Sequence, residues 1–240
     1  MTSIPEPDPI EPIFDDDWGD ALLASGVEFA DNPEPRCPCI LLLDTSKSMT
    51  GVPIQALNDG LVAFRDDLIK DPLARRRVEV AVVTFGGVPR VVQNFVTVDD
   101  FPTPILTAGG ATPMGGGIHQ ALDLLEARKA QYQAHGVAYY RPWLFLITDG
   151  SPRGEPTEVF RQGVRRLHTA EKEKKVVFFA VGVEKADMTL LAKVSVRKPV
   201  HLRGLRFVDL FVWLSRSTQK IAHSRVGDQV PLPPVDWGTV

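Results

Sequence analysis

The stretch CILLLDTSKSMTG, residues 39–51, decides how the rest of the chain is read. An apolar run leads straight into Asp44, and Ser46 and Ser48 follow at alternate positions. An unbroken apolar run suits a strand covered on both faces, because a strand with one wet face would alternate. Side chains at i and i+2 share one side of an extended segment, so Ser46 and Ser48 can be aimed at one point. A carboxylate and two hydroxyls at the abrupt end of a buried strand ask for a ligand.

Outward from this stretch, apolar runs alternate with helical periods. Ile54, Leu57, Leu61, Phe64 and Leu68 recur at spacings of three and four and predict a helix over residues 53–70. Pro53 suits its first turn, and Asp71-Pro72 ends it. Arg75, Arg76 and Arg77 read as a solvated loop before the next strand. VEVAVVTF and RVVQNFV, joined by GGVP, predict an antiparallel hairpin. A Pro- and Gly-rich loop around GGATPMGGG leads into a helix with Ile118, Ala121, Leu122 and Leu125 on one face. WLFLIT is a second buried strand. A helix over 155–173 with Phe160, Val164 and Leu167 inward and the strand VVFFAVGV come next. A short helix over 187–193, a small strand over 200–202 and a helix over 207–221 complete the pattern. It predicts a doubly wound α/β domain: a mostly parallel sheet with one antiparallel edge strand and helices on both faces. Ligands of such sheets bind outside the carboxyl ends of the strands.

Residues 1–36 hold ten acidic groups, one arginine and six prolines, and read as a disordered acidic arm; its FDDDWGD segment is a candidate docking motif. The domain is expected over 37–225, and residues 226–240 as an extended strap. At 240 residues and a net charge of −3, the chain is long enough for one good-sized domain. No basic stripe interleaved with aromatics points to nucleic acid. The longest apolar run, VVFFAV, is too short to cross a bilayer, and no secretory signal is visible, so a cytoplasmic protein without a membrane partner is expected. Cys37 and Cys39 are too few for a disulfide framework and read as buried thiols.

Three segments bring polar groups to the carboxyl edge of the predicted sheet. Asp44, Ser46 and Ser48 follow the first strand, Thr112 lies in the glycine-rich loop, and Asp149 ends WLFLITDGS. Two carboxylates about 4 Å apart repel by about 4 kcal/mol at an effective dielectric of about 20, and a bound cation removes that cost. The donors are all hard oxygens, which selects Mg²⁺ first, with Mn²⁺ or Ca²⁺ as substitutes. Glycines around Thr112 let the loop backbone approach closely.

DTSKS, Thr112 in GGATPMGGGI and TDGS resemble the metal-ion-dependent adhesion site of von Willebrand factor A domains. LLLDTSKSMTGVPIQALNDGL, VAVVTF, PWLFLITDGSP, FVWLSRS and VPLPP look more closely like the TerY-type bacterial branch of tellurite-resistance and chemical-stress clusters. The resemblance implies that Ser46 and Ser48 ligate the metal directly, and Asp44, Thr112 and Asp149 directly or through water. It implies an open coordination position filled by an Asp or Glu of a protein partner, and no catalysis. It also implies a protein kinase and a metal-dependent phosphatase of the same cluster as partners. Lys47 departs from the glycine common in that position.

Other functions fit less of the chain. In a regulatory scaffold the metal would only stiffen the loops. An aspartic protease would use Asp44 and Asp149, but it needs an all-β fold, and helical periods separate these motifs. A haloacid dehalogenase-type phosphotransferase wants an acid where Ser46 stands. The glycine-rich loop lacks the Gly-Lys-Ser/Thr of a P-loop. Ser151 and Ser195 have no visible histidine and acid partners for a hydrolase triad.

Overall fold

The computed structural model describes residues 28–239; most of the acidic arm, including FDDDWGD, lies outside the described residues. Seven strands form one sheet: β1 (Cys37–Leu43), β2 (Val78–Gly86), β3 (Val88–Thr97), β4 (Trp143–Thr148), β5 (Val177–Gly182), β6 (Val200–Leu202) and β7 (Gly238–Thr239). Their order is β3-β2-β1-β4-β5-β6-β7. The five central strands are parallel, and β3 is the expected antiparallel edge. A second, two-residue antiparallel edge is β7, formed where the tail pairs with β6.

β1 is buried along its whole length, as its unbroken apolar run requires. Its side chains divide between two cores. Cys39, Leu41 and Leu43 face α1 (Val52–Leu68) and α6 (Phe207–Ala222). Ile40 and Leu42 face α3 (Met114–Ala134) and α4 (Thr157–Lys172). The stripe predicted for the first helix, Ile54 to Leu68, is buried in the first core, and Ile118, Ala121, Leu122 and Leu125 are buried in the second. Helix α5 (Met188–Val194) adds Leu191 and Val194 to the second core.

The arginine stretch before β2 is a correction. Residues Pro72–Arg77 form a short helix, α2, capped by the Asp71 carboxylate, which accepts from the Leu73 and Ala74 N–H groups at 2.9 and 3.0 Å. Pro72 ends one helix and starts the next because its ring fixes φ and its missing N–H is not needed in a first turn. Arg77 is not a solvated side chain: it pairs with Glu34 at 2.7 Å and donates to the Ala222 carbonyl at 2.6 Å.

The chain crosses from β1 to β2 on one side and later to β4 on the other. The neighbours β1 and β4 therefore diverge at their carboxyl ends, which is where an open α/β sheet leaves a crevice. No helix among the described residues is long and apolar enough to cross a membrane.

Candidate metal centre

Register places the two motif aspartates together. Leu43 pairs with Ile147, and the Asp44 N–H donates to the Ile147 carbonyl at 2.9 Å. Asp44 and Asp149 therefore emerge side by side from β1 and β4. After Asp44 the chain makes a 3-10 turn over Lys47–Met49, which folds Ser46 and Ser48 back over the strand end. The Ser46 and Ser48 hydroxyls lie 3.1 Å apart, and the Ser48 hydroxyl donates to Asp149 Oδ1 at 2.8 Å. The Ser46 N–H donates to Asp44 Oδ1 at 2.8 Å. One chain of contacts thus joins four of the five sequence-predicted residues.

Thr112 joins through its loop. Lys47 N–H donates to the Gly110 carbonyl at 3.0 Å, and Gly109 N–H to the Thr45 carbonyl at 2.8 Å. The Thr112 backbone exchanges hydrogen bonds with Arg153 at 3.0 and 2.9 Å, tying the loop to the segment after Asp149. Thr112 is buried, and its hydroxyl has no hydrogen-bond partner among the described residues. Gly110 has φ of +77°, and a Cβ there would lie 2.5 Å from the Gly87 backbone, so the loop closes only with glycine.

Two holding groups carry no obvious sequence signal. The Thr148 hydroxyl donates to Asp44 Oδ2 at 2.5 Å from the last position of β4. Glu155 accepts from the Gly115 and Gly116 N–H groups at 2.7 and 2.9 Å, capping α3 just after the glycine-rich loop. A polar threonine ending an apolar strand was the only hint of the first. The second is a cap from 39 and 40 residues away, which no local pattern reveals.

Asp44 is fully buried, whereas Ser48 and Lys47 are exposed, so the site opens on its serine side. Neither Asp44 nor Asp149 forms an ion pair with another described residue. Burial pushes the Asp44 pKa up; the hydrogen bonds from Thr148 and Ser46 oppose this, and the neighbouring Asp149 charge adds to it. A buried carboxylate held this way, beside a second one, is short of positive charge. The donors are two carboxylates and three hydroxyls, with no thiol or imidazole, and no cluster of three His, Cys, Asp or Glu occurs among the described residues. That set fits a hard divalent cation and does not fit a soft one.

A family model described as the von Willebrand factor type A domain matches residues 39–203. Among curated proteins, none matches the chain. Solved structures of similar fold include the pilus adhesin SpaC of Lactobacillus rhamnosus GG, at a TM-score of 0.61 and 13% identity over 78% of this chain and 31% of that one. The von Willebrand domain of the pilus tip protein Mfa5 of Porphyromonas gingivalis follows at 0.53 and 11%, over 79% and 94%. Proximal thread matrix protein 1 of the mussel byssus, in a form with a zinc-occupied MIDAS motif, gives 0.51 and 16%, over 77% and 48%. The chain thus spans about a third of SpaC and about half of the mussel protein. At these identities the likeness concerns the fold.

Proposed function

The chain belongs to the von Willebrand factor type A domain family, and from that premise we propose that it is a non-catalytic, metal-dependent protein-binding module. Asp44, Ser46, Ser48, Thr112 and Asp149 hold a divalent cation, Mg²⁺ foremost. When bound, the cation supplies a Lewis-acidic position for an Asp or Glu side chain of a protein partner. The observation that carries this reading is the buried Asp44 carboxylate, linked to Asp149 through the serine hydroxyls, with no described cation beside either. Thr148 orients Asp44, and the Gly109–Thr45 and Lys47–Gly110 bonds keep the Thr112 loop against the strand end.

The surface beside the centre supports a macromolecular partner. An open groove of about 450 Å³ starts at Thr45 and Gly110 and runs along β3. Val88, Arg90 and Val92 line it at alternate positions, and Ile105, 88% exposed, faces them. Apolar groups beside a charged centre suit a protein surface better than a small ion alone.

The finer reading rests on the sequence motifs alone: a TerY-type protein of a cytoplasmic stress cluster, a kinase and a phosphatase among its partners, a domain over 37–225, and an arm and strap at its ends. Titration calorimetry with Mg²⁺, Mn²⁺ and Ca²⁺ tests the centre. Saturable binding by the intact chain and none by Asp44→Ala is the expected result. Capture of cluster proteins by the immobilised chain should fail in chelator while the circular dichroism spectrum stays native. Capture that persists in chelator would replace this reading with a structural metal and a binding face elsewhere.

A further inference from the structure

A second cavity lies apart from the candidate metal centre. Between the sheet face at β4 and β5, helix α6 and the extended tail is a cavity of about 170 Å³, and none of the five proposed metal ligands lines it. Its walls are aromatic. Phe145 and Phe179 stack at 4.5 Å with 15° between their planes, and the Trp213 ring stands edge-on to both at 6.3 and 6.5 Å. Trp237 closes the cavity, packed against Trp213 at 5.5 Å. The tail forming that wall is pinned in several places. Trp213 Nε1 donates to the Pro233 carbonyl at 3.0 Å, Arg203 N–H to the Trp237 carbonyl at 3.1 Å, and β7 pairs with β6.

Polar groups are few and of one kind. Trp237 is 1% exposed, yet its Nε1–H meets no acceptor among the described residues. A buried donor left unpaired is costly, and the neighbouring Trp213 indole shows the ordinary, paired arrangement. Arg197 and Lys198 also line the cavity. The Arg197 guanidinium lies 5.7 Å from the Phe179 ring centroid and is held by Glu171 at 2.5 Å. Lys198 is exposed and pairs with no described acid. The polar side chains lining the aromatic pocket around the Trp237 indole are therefore all donors, and two of them are cations, Arg197 shared with Glu171 and Lys198 unpaired among the described residues.

We propose that this cavity binds a single-ring aromatic carboxylate. The ring stacks within the Phe145, Phe179 and Trp213 walls, and the carboxylate accepts from the Trp237 indole and from the Arg197–Lys198 edge. Size sets the class: apolar cavities of about 150 Å³ take up benzene, so one ring with a small substituent fits and a fused polycycle does not. Charge sets the substituent, because donors and cations reject an amine and favour an anion. The site is independent of the metal centre and of the function proposed for it.

Benzoate, benzyl alcohol and benzylamine are the probes, titrated into the full chain and followed by the tryptophan indole N–H resonances, with Trp237 assigned by Trp237→Phe. Benzoate should bind saturably in the sub-millimolar range, shift the Trp237 indole proton, and do so equally with and without chelator. Trp237→Phe should weaken it about tenfold, as expected for loss of one hydrogen bond to a charged group. Val235→Phe, which fills the cavity, should abolish binding in a chain of unchanged circular dichroism. Should Trp237→Phe not fold, Lys198→Glu takes its place, with benzoate weakened relative to benzyl alcohol. Absence of a saturable shift at millimolar benzoate, equal affinity for benzylamine, or benzoate binding untouched by Val235→Phe would each overturn the proposal.

Discussion

A carboxylate with no exposed surface and no described cation paired with it is poorly solvated, and Asp44 is such a group. Burial raises its pKa from 3.8, so the metal-free folded state takes up a proton more readily than the unfolded chain. Below the unfolded value Asp44 carries no penalty, and as pH rises through the raised folded value the penalty becomes complete. In chelator at neutral pH, Asp44→Asn should therefore match or exceed the wild type in urea midpoint, and the difference should shrink as pH falls toward 4. A wild type more stable than Asp44→Asn in chelator at pH 7 would contradict this. The thiols give a second residue-scale test. Burial first, then the Glu79 charge, raises the Cys37 pKa to about 12, and burial raises Cys39 further from reactivity. Neither should react with a thiol reagent at pH 8 in the native chain, and both should in guanidinium. At this scale the proposed ligand set stood in the sequence as a pattern, D-x-S-x-S at the end of a buried strand. The sequence hid Thr148 and Glu155, since what they hold lies far along the chain.

Elements were legible wherever period and burial agree. The stripe from Ile54 to Leu68 and the run of β1 each dictate one burial pattern, and the structure has it. Helix α2 escaped because six residues with three arginines show no apolar period, and its determinant is a single cap. Asp71→Ala should accordingly lower stability by about 1 kcal/mol in urea unfolding, with the m-value unchanged. The contact between α3 and α4 was equally silent. A Cβ on Gly115 would lie 2.4 Å from the Phe160 backbone, so these helices meet where only glycine fits. Gly115→Ala should cost about 1–3 kcal/mol, read as a lower urea midpoint; a neutral effect would mean that α4 shifts freely.

At the scale of the molecule, the sheet carries buried charge at both ends, and the two ends do different work. At the amino end of β1 and β2, Glu79 is fully buried and pairs with Arg36 at 2.8 Å and with Arg128 through two bonds of 2.9 and 2.8 Å, and the Tyr132 hydroxyl donates to it. These charges satisfy one another inside the protein. At the carboxyl end, Asp44 and Asp149 have no described counter-charge. The first arrangement is complete and serves architecture; the second is incomplete, as the proposed metal-dependent binding requires. Only the second was readable in sequence, as Glu79 in VEVAVVTF gives no sign that its partners sit 43 residues before it and 49 after it. A pair of substitutions separates the roles. Glu79→Gln leaves two buried guanidinium groups short of a carboxylate and should cost about 3–5 kcal/mol of stability. Its Mg²⁺ dissociation constant, measured where the variant is still folded, should stay within a factor of two to three of the wild type. Asp44→Ala should do the reverse, keeping the fold and losing the metal. Urea unfolding and calorimetry on both variants give four numbers; if Glu79→Gln loses Mg²⁺ while folded, the two ends are coupled and this division of roles is wrong.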